Sequence, residues 1–155
     1  MAIKGHIVES DYDLSCTMAT AAERGGVVCL TGTGVFGPGM DEANKVVGYS
    51  ANPSGKVAYG LLLHDVVDYD TSRVSPNFQN PNETPVNSKV TLVRKWRGNT
   101  NMIVPADLSS VAPGVAYLGN SGLLTPTSGS GRPAVGRFES YEDSDGFVNV
   151  SINIA

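Results

Sequence analysis

The stretch from Phe147 to Ala155 alternates strictly: Val148, Val150, Ile152 and Ile154 are apolar, and Asn149, Ser151 and Asn153 between them are polar. A period of two is the signature of a half-buried β-strand. Asp143, Ser144, Asp145 and Gly146 form a turn-favouring cluster just before it. The polar face of this strand offers amides and a hydroxyl, with no nucleophile, general base or metal cage, so it reads as scaffold or contact surface. Similar short apolar runs predict strands over 27–31, 45–50, 57–67, 89–93, 100–104, 114–118 and 135–139. Gly37-Pro38-Gly39, Asn52 to Gly55, Ala112 to Gly114 and Asn120 to Gly122 separate them, with proline fixing φ and glycine or asparagine accepting positive φ.

The run from Val57 to Val67 is apolar on both faces as far as His64 and Asp65, which predicts a central strand, and Gly60 within it predicts a bulge or bend. In the run from Lys89, Val90 and Leu92 share a face with Arg94, so a bulge or the end of the strand is expected near Val93. Before Gly25 the pattern is irregular. Residues 1–24 read as an extended N-terminal arm, closed by a short helix or turn over 18–24, and residues 25–155 as the β-domain. No helical periodicity of ten residues or more occurs. The fold expected is all-β, a small β-barrel or β-sandwich with an extended N-terminal arm and one long loop.

That loop is Asp70 to Ser88, stiffened by Pro76, Pro81 and Pro85 and holding one aromatic, Phe78. Loops of this length are usually functional or disordered. Phe78 is therefore a candidate anchor for a partner, and Ile3, Ile7, Tyr12 and Leu14 are candidate pegs, spaced too irregularly for one strand or helix face. Trp96, within the basic cluster Arg94 to Arg97, is the remaining candidate contact. That cluster reads first as a solvated strand end.

A chain of 155 residues suits one domain that buries roughly 70% of its unfolded surface. Its 18 glycines and 9 prolines are dispersed as punctuation between short strands. Cys16 and Cys29 stand in no CxxC or metal-ligand spacing and read as buried free thiols. A net charge of −4 opposes direct binding of nucleic acid. The N-terminus lacks the apolar region of a secretory signal, and no run approaches the ~18 apolar residues of a membrane span, so the expectation is synthesis in the cytoplasm with no membrane partner.

Apparent catalytic motifs fail on context. Gly32 to Gly37 matches a dinucleotide fingerprint, but Pro38-Gly39 follows where a helix should open. His64 and Asp65 are adjacent in a strand and so point to opposite faces, and His6 has no histidine or cysteine at ligand spacing. The acidic turn at 143–146 lacks the later bidentate carboxylate of a calcium loop, because position 152 is isoleucine. No catalytic residue, cofactor site or metal site is expected, and the reading is not an enzyme.

Ala22 to Leu30, Ala51 to Lys56 leading into Gly60 to Asp70, Ser88 to Trp96, Gly114 to Gly119, Val135 to Phe138 and Asp145-Gly146 together resemble the capsid decoration, or cement, proteins of tailed bacteriophages, marine and cyanobacterial ones especially. The resemblance runs from about residue 20 onward and rests on turns and strands. It implies a small β-rich, non-enzymatic protein that binds the outer surface of the expanded major capsid protein lattice and stabilises the head. Its implied partners are the major capsid protein and itself, as homotrimer or homodimer, and its implied place is the outer capsid surface of the virion. The competing class is a non-enzymatic carbohydrate- or small-ligand-binding β-domain on a virion or cell surface. That class requires Tyr49, Tyr59, Tyr117, Tyr141 and Trp96 to gather around a pocket or platform.

Overall fold

The computed structural model describes residues 3–32, 45–68 and 82–155, with backbone alone at 3–8 and at 32. The fold is all-β. Its strands are β1 (Ile3–Met18), β2 (Val27–Gly32), β3 (Lys45–Gly48), β4 (Ala58–Leu62), β5 (Asp65–Val67), β6 (Glu83–Pro85), β7 (Lys89–Thr100), β8 (Gly114–Leu118), β9 (Leu124–Thr125), β10 (Ala134–Phe138) and β11 (Val148–Asn153). Helical structure among the described residues is limited to two short 3₁₀ segments, Pro105–Ser110 and Asn120–Gly122.

Nine strands form one mixed sheet in the order β1-β3-β2-β4-β7-β11-β10-β8-β9, while β5 and β6 pair in parallel beside it. A further antiparallel pairing joins β1 to β7, so β1, β3, β2, β4 and β7 close on themselves as a barrel. Each barrel strand sends apolar side chains inward: Cys16 and Met18 from β1, Val28 from β2, Val47 from β3, Tyr59 and Leu62 from β4, Val90 and Leu92 from β7. The remaining strands, β11, β10, β8 and β9, continue the same sheet from β7 as a second layer. Its inner face carries Trp96, Ala116, Leu118, Phe138, Val150 and Ile152, packed on Val27, Cys29 and Leu61.

This second layer explains the densest apolar runs. Val28 faces the barrel interior while its neighbours Val27 and Cys29 face the second layer, and on β4 Leu62 and Leu61 divide in the same way. A strand covered on both sides needs apolar residues at consecutive positions. Full burial of each such side chain stabilises the fold by about 1.5–3 kcal/mol before entropy is counted.

Several expectations need correction. Residues 3–18 are extended, as expected, but they form β1 and belong to the sheet, so the described part of the expected arm over 1–24 is continuous with the expected β-domain over 25–155. Cys16 and Met18 are 0% and 1% exposed inside the barrel. The alternation that would have revealed β1 is broken by register irregularities against β7 between Lys4 and Val8 and between Asp13 and Cys16. Of the short helix or turn expected over 18–24, the turn is present, at Arg24-Gly25, reached through a bridge between Ala22 and Val66.

The run 57–67 is two strands, β4 and β5, parted at Leu63-His64, and the irregularity expected at Gly60 is present in the β2 register. A Cβ at Gly60 would meet Leu92 Cβ at 3.1 Å and Val93 O at 3.2 Å, so a side chain there would push β4 from β7. The strand from Lys89 does not stop near Val93. It continues to Thr100, and its even-numbered face passes from the barrel core, at Val90 and Leu92, to the second core, at Trp96, as its neighbour on that side changes from β4 to β11. Of the long loop, 70–81 lie outside the described residues, whereas β6 pairs with β5 and Val86 packs against the barrel core.

Candidate functional site

Residues 9–15 of β1 form the least buried strand segment in the barrel. No side chain from Glu9 to Ser15 is buried, and Tyr12 and Leu14 are 56% and 59% exposed. The segment is held by its antiparallel register with β7, Tyr12 opposite Val93 and Asp13 opposite Leu92. Local polar chemistry fixes its path. Asp13 Oδ1 accepts from the Ser15 backbone N–H at 2.8 Å and from Ser15 Oγ at 2.5 Å, which stabilises the extra residue that presents Leu14 outward. Asp11 adopts a positive φ of 61°, a conformation that aspartate tolerates better than most residues.

Beside this segment a polar network closes one end of the barrel. The Tyr59 hydroxyl donates to Asp13 Oδ2 at 2.9 Å and accepts from Lys45 Nζ at 2.6 Å. Lys45 also donates to Ser15 Oγ at 3.3 Å and lies 3.8 Å from Asp13 Oδ2. The Arg94 guanidinium sits 4.7 Å from the centroid of the Tyr59 ring, a cation–π contact, and its Nε is buried without an acceptor. Four strands meet in this network. Tyr59 and Asp13 are each engaged by several partners, so the arrangement braces the barrel and holds no free nucleophile next to a base.

Partial burial pushes the Asp13 carboxyl up, but the two Ser15 hydrogen bonds, the Tyr59 hydroxyl and Lys45 outweigh it and hold the group below its ordinary value of 3.8. A depressed carboxyl stabilises the fold fully above the unfolded value and loses that contribution as pH falls through the folded value. Acidification below the ordinary aspartate range should therefore lower the unfolding midpoint. Asp13→Asn should be less stable at neutral pH and flatter in its acid dependence, as thermal unfolding followed across pH would show; parallel profiles would contradict this role.

The candidate contact residues do not form one site. Tyr12 and Leu14 are exposed on β1, and Ile3 and Ile7 lie on the same strand, Ile3 opposite Thr100 and Ile7 within the first register irregularity. Phe78 lies outside the described residues. Trp96 requires correction: it is 2% exposed within the second core, so its ring is unavailable as a surface contact. The cluster Arg94 to Arg97 is mid-strand, with Arg94 at the barrel end, Lys95 paired to Asp11 and Arg97 paired to Glu139.

Three of the five aromatics that the competing class requires are committed elsewhere. Tyr49 is a strut whose hydroxyl donates to Glu23 O and accepts from the Gly26 N–H, Tyr59 belongs to the barrel core and Trp96 to the other core, while Tyr117 is half-buried on β8 and Tyr141 is 69% exposed. Among the described residues no group of three or more His, Cys, Asp or Glu could hold a metal ion. Sequence reasoning missed Lys45, Tyr59 and Arg94 as a set, because they come from three strands and only the barrel closure unites them. In comparisons with known proteins, no family model matches this chain and no curated protein matches it.

Proposed function

We propose that this chain is a structural, non-enzymatic capsid decoration protein that binds the outer surface of an expanded major capsid protein lattice and stabilises the head. The observation that carries the reading is the exposed half of β1, where Tyr12 and Leu14 project from a strand segment that buries none of its own side chains. An aromatic and an aliphatic group on a rigid, sheet-bound support suit insertion into a partner's surface, since little entropy is lost on docking. The resemblance of residues from about 20 onward to phage cement proteins names that partner. Repetition over a lattice, with self-association as a trimer or dimer, would convert modest contacts into firm attachment.

The test is co-sedimentation with expanded and with compact capsids. A cement stabilises the expanded form only through differential affinity, so the protein should pellet with expanded shells and remain in solution with compact ones. The double variant Tyr12→Ser, Leu14→Ser should bind about tenfold or more weakly with its unfolding midpoint nearly unchanged, because both residues are exposed. Equal binding to both shell forms, or undiminished binding by the double variant, would count against the proposal.

A further inference from the structure

Where β1, β7 and β11 lie side by side, the outer face of the sheet carries a cleft of about 210 Å³ lined by Ser10, Lys95, Arg97, Ser151 and Asn153, with the core residues Trp96 and Ile152 beneath. Its origin lies in the register. Ser10 is opposite Lys95, Lys95 is opposite Asn153 and Arg97 is opposite Ser151, so short polar side chains alternate across strands with long cationic ones. The long arms are drawn towards carboxylates: Lys95 Nζ lies 3.3 Å from Asp11 Oδ2, and Arg97 meets Glu139 Oε2 through Nε at 2.8 Å and Nη2 at 2.7 Å. A trough is left over the serines.

These ion pairs orient the cations without exhausting them. A guanidinium has five N–H donors and an ammonium three, so Arg97 and Lys95 keep donors to spare beyond those two carboxylates. Exposed pairs are worth about 0–1 kcal/mol, so an incoming anion competes with them on nearly equal terms. A third cation adds to the field. Arg137 is the partner of Ser151 from the other side, on β10, and makes no ion pair with another described residue. Three cations thus face two carboxylates on this surface, a local positive excess on a chain whose net charge is −4.

The geometry points to an oxyanion site, in which one carboxylate or phosphate group sits between Lys95 and Arg97 and takes further hydrogen bonds from the Ser10 and Ser151 hydroxyls and the Asn153 amide. The cleft has room for a single such group with a few attached atoms. Charge-assisted bonds from a planar guanidinium favour a flat or tetrahedral anion over a neutral ligand. The inference is independent of the capsid reading, because its test involves no shell.

Titration of the full chain with sodium phosphate, with sodium acetate and with a short glutamate peptide, followed in proton–nitrogen correlation spectra, tests it. Resonances of Ser151, Asn153 and the Arg97 side chain should move saturably, phosphate and acetate should compete, and added sodium chloride should weaken both. Arg97→Gln and Lys95→Gln should each reduce affinity about tenfold. Ser151→Leu, which fills the trough, should abolish saturation, and it carries the test if a charge variant fails to fold. Saturation at a lower concentration of glutamate peptide than of acetate assigns the site to acidic side chains of a partner chain, and equal affinity assigns it to a free solute. Shifts that rise linearly with anion concentration, or that are unchanged in Arg97→Gln, overturn the inference.

Discussion

Deleting residues 1–18 is expected to abolish cooperative unfolding, whereas deleting residues 1–8 is expected to leave a folded protein with a lowered midpoint. The difference lies in what each part of β1 supports. Residues 16–18 join β1 to β3 in parallel, and 16–17 also pair with β7, so this short stretch closes the barrel. Cys16 and Met18 fill its interior. Losing a buried methionine side chain alone costs about 2–5 kcal/mol, and losing the strand also leaves two open edges around an exposed core, against a total stability of about 5–15 kcal/mol. Among the first eight residues, the described ones, 3–8, contribute backbone pairs to β7 at Ile3, Lys4 and Val8 and take no part in the closure with β3. Calorimetry or circular dichroism melting of the two truncations would decide; a sharp transition in the 1–18 deletion would mean that the barrel does not depend on β1.

Gly136→Ala is expected to destabilise the protein by about 3 kcal/mol, the upper part of the usual range for overpacking. A Cβ at this position would lie 2.1 Å from the carbonyl oxygen of Ser151 and 2.9 Å from Ile152 Cα. Both obstacles are backbone atoms of the paired strand, since Gly136 is opposite Ile152 on β11 and Ala116 on β8, so relief requires parting β10 from β11. Gly48→Ala is the control, because its new methyl would meet Thr31 Cγ2 at an ordinary 3.5 Å. The measurement is denaturant unfolding of the two variants beside the parent. Comparable midpoints for both would show that β10 and β11 relax more freely than the close approach implies.

Strand identity was legible where burial is regular. β11 alternates and one face is buried, and Val27 to Cys29 of β2 and Leu61-Leu62 of β4 are consecutive apolar residues that lie between two cores. The all-β class followed from these and from the turns. β1 was illegible as a strand because its bulges shift the alternation and because no side chain over 9–15 is fully buried, so no hydrophobic period exists to be read. β7 looked as though it ended near Val93 for a related reason: Leu92 and Val93 are both buried, in different cores, and Arg94 and Lys95 interrupt the buried positions before the even-numbered pattern resumes at Trp96.

Of the candidate contacts, Tyr12 and Leu14 were legible as apolar groups without a face, which is how the structure leaves them. Trp96 was misread because a tryptophan among three cations suggests a surface. Strand periodicity instead places the cations at 95 and 97 on one face and the indole on the other. The network of Asp13, Lys45, Tyr59 and Arg94 depends on pairings between segments far apart in the chain, and no local pattern encodes those.

The continuity of β7 has a further consequence. Val90 and Leu92 at one end line the barrel, Trp96 beyond them lines the second core, and the strand between is unbroken. Two cores that share a strand cannot melt one after the other, because releasing β7 from either exposes apolar surface in both. The amides of β7 are thus protected by the whole molecule's stability rather than by a local fluctuation, and their hydrogens should exchange with solvent at the rate of global opening. A pull on the exposed edge of β1 is accordingly resisted by β11 as well as by the barrel, so load applied at one surface is spread through the entire β-structure.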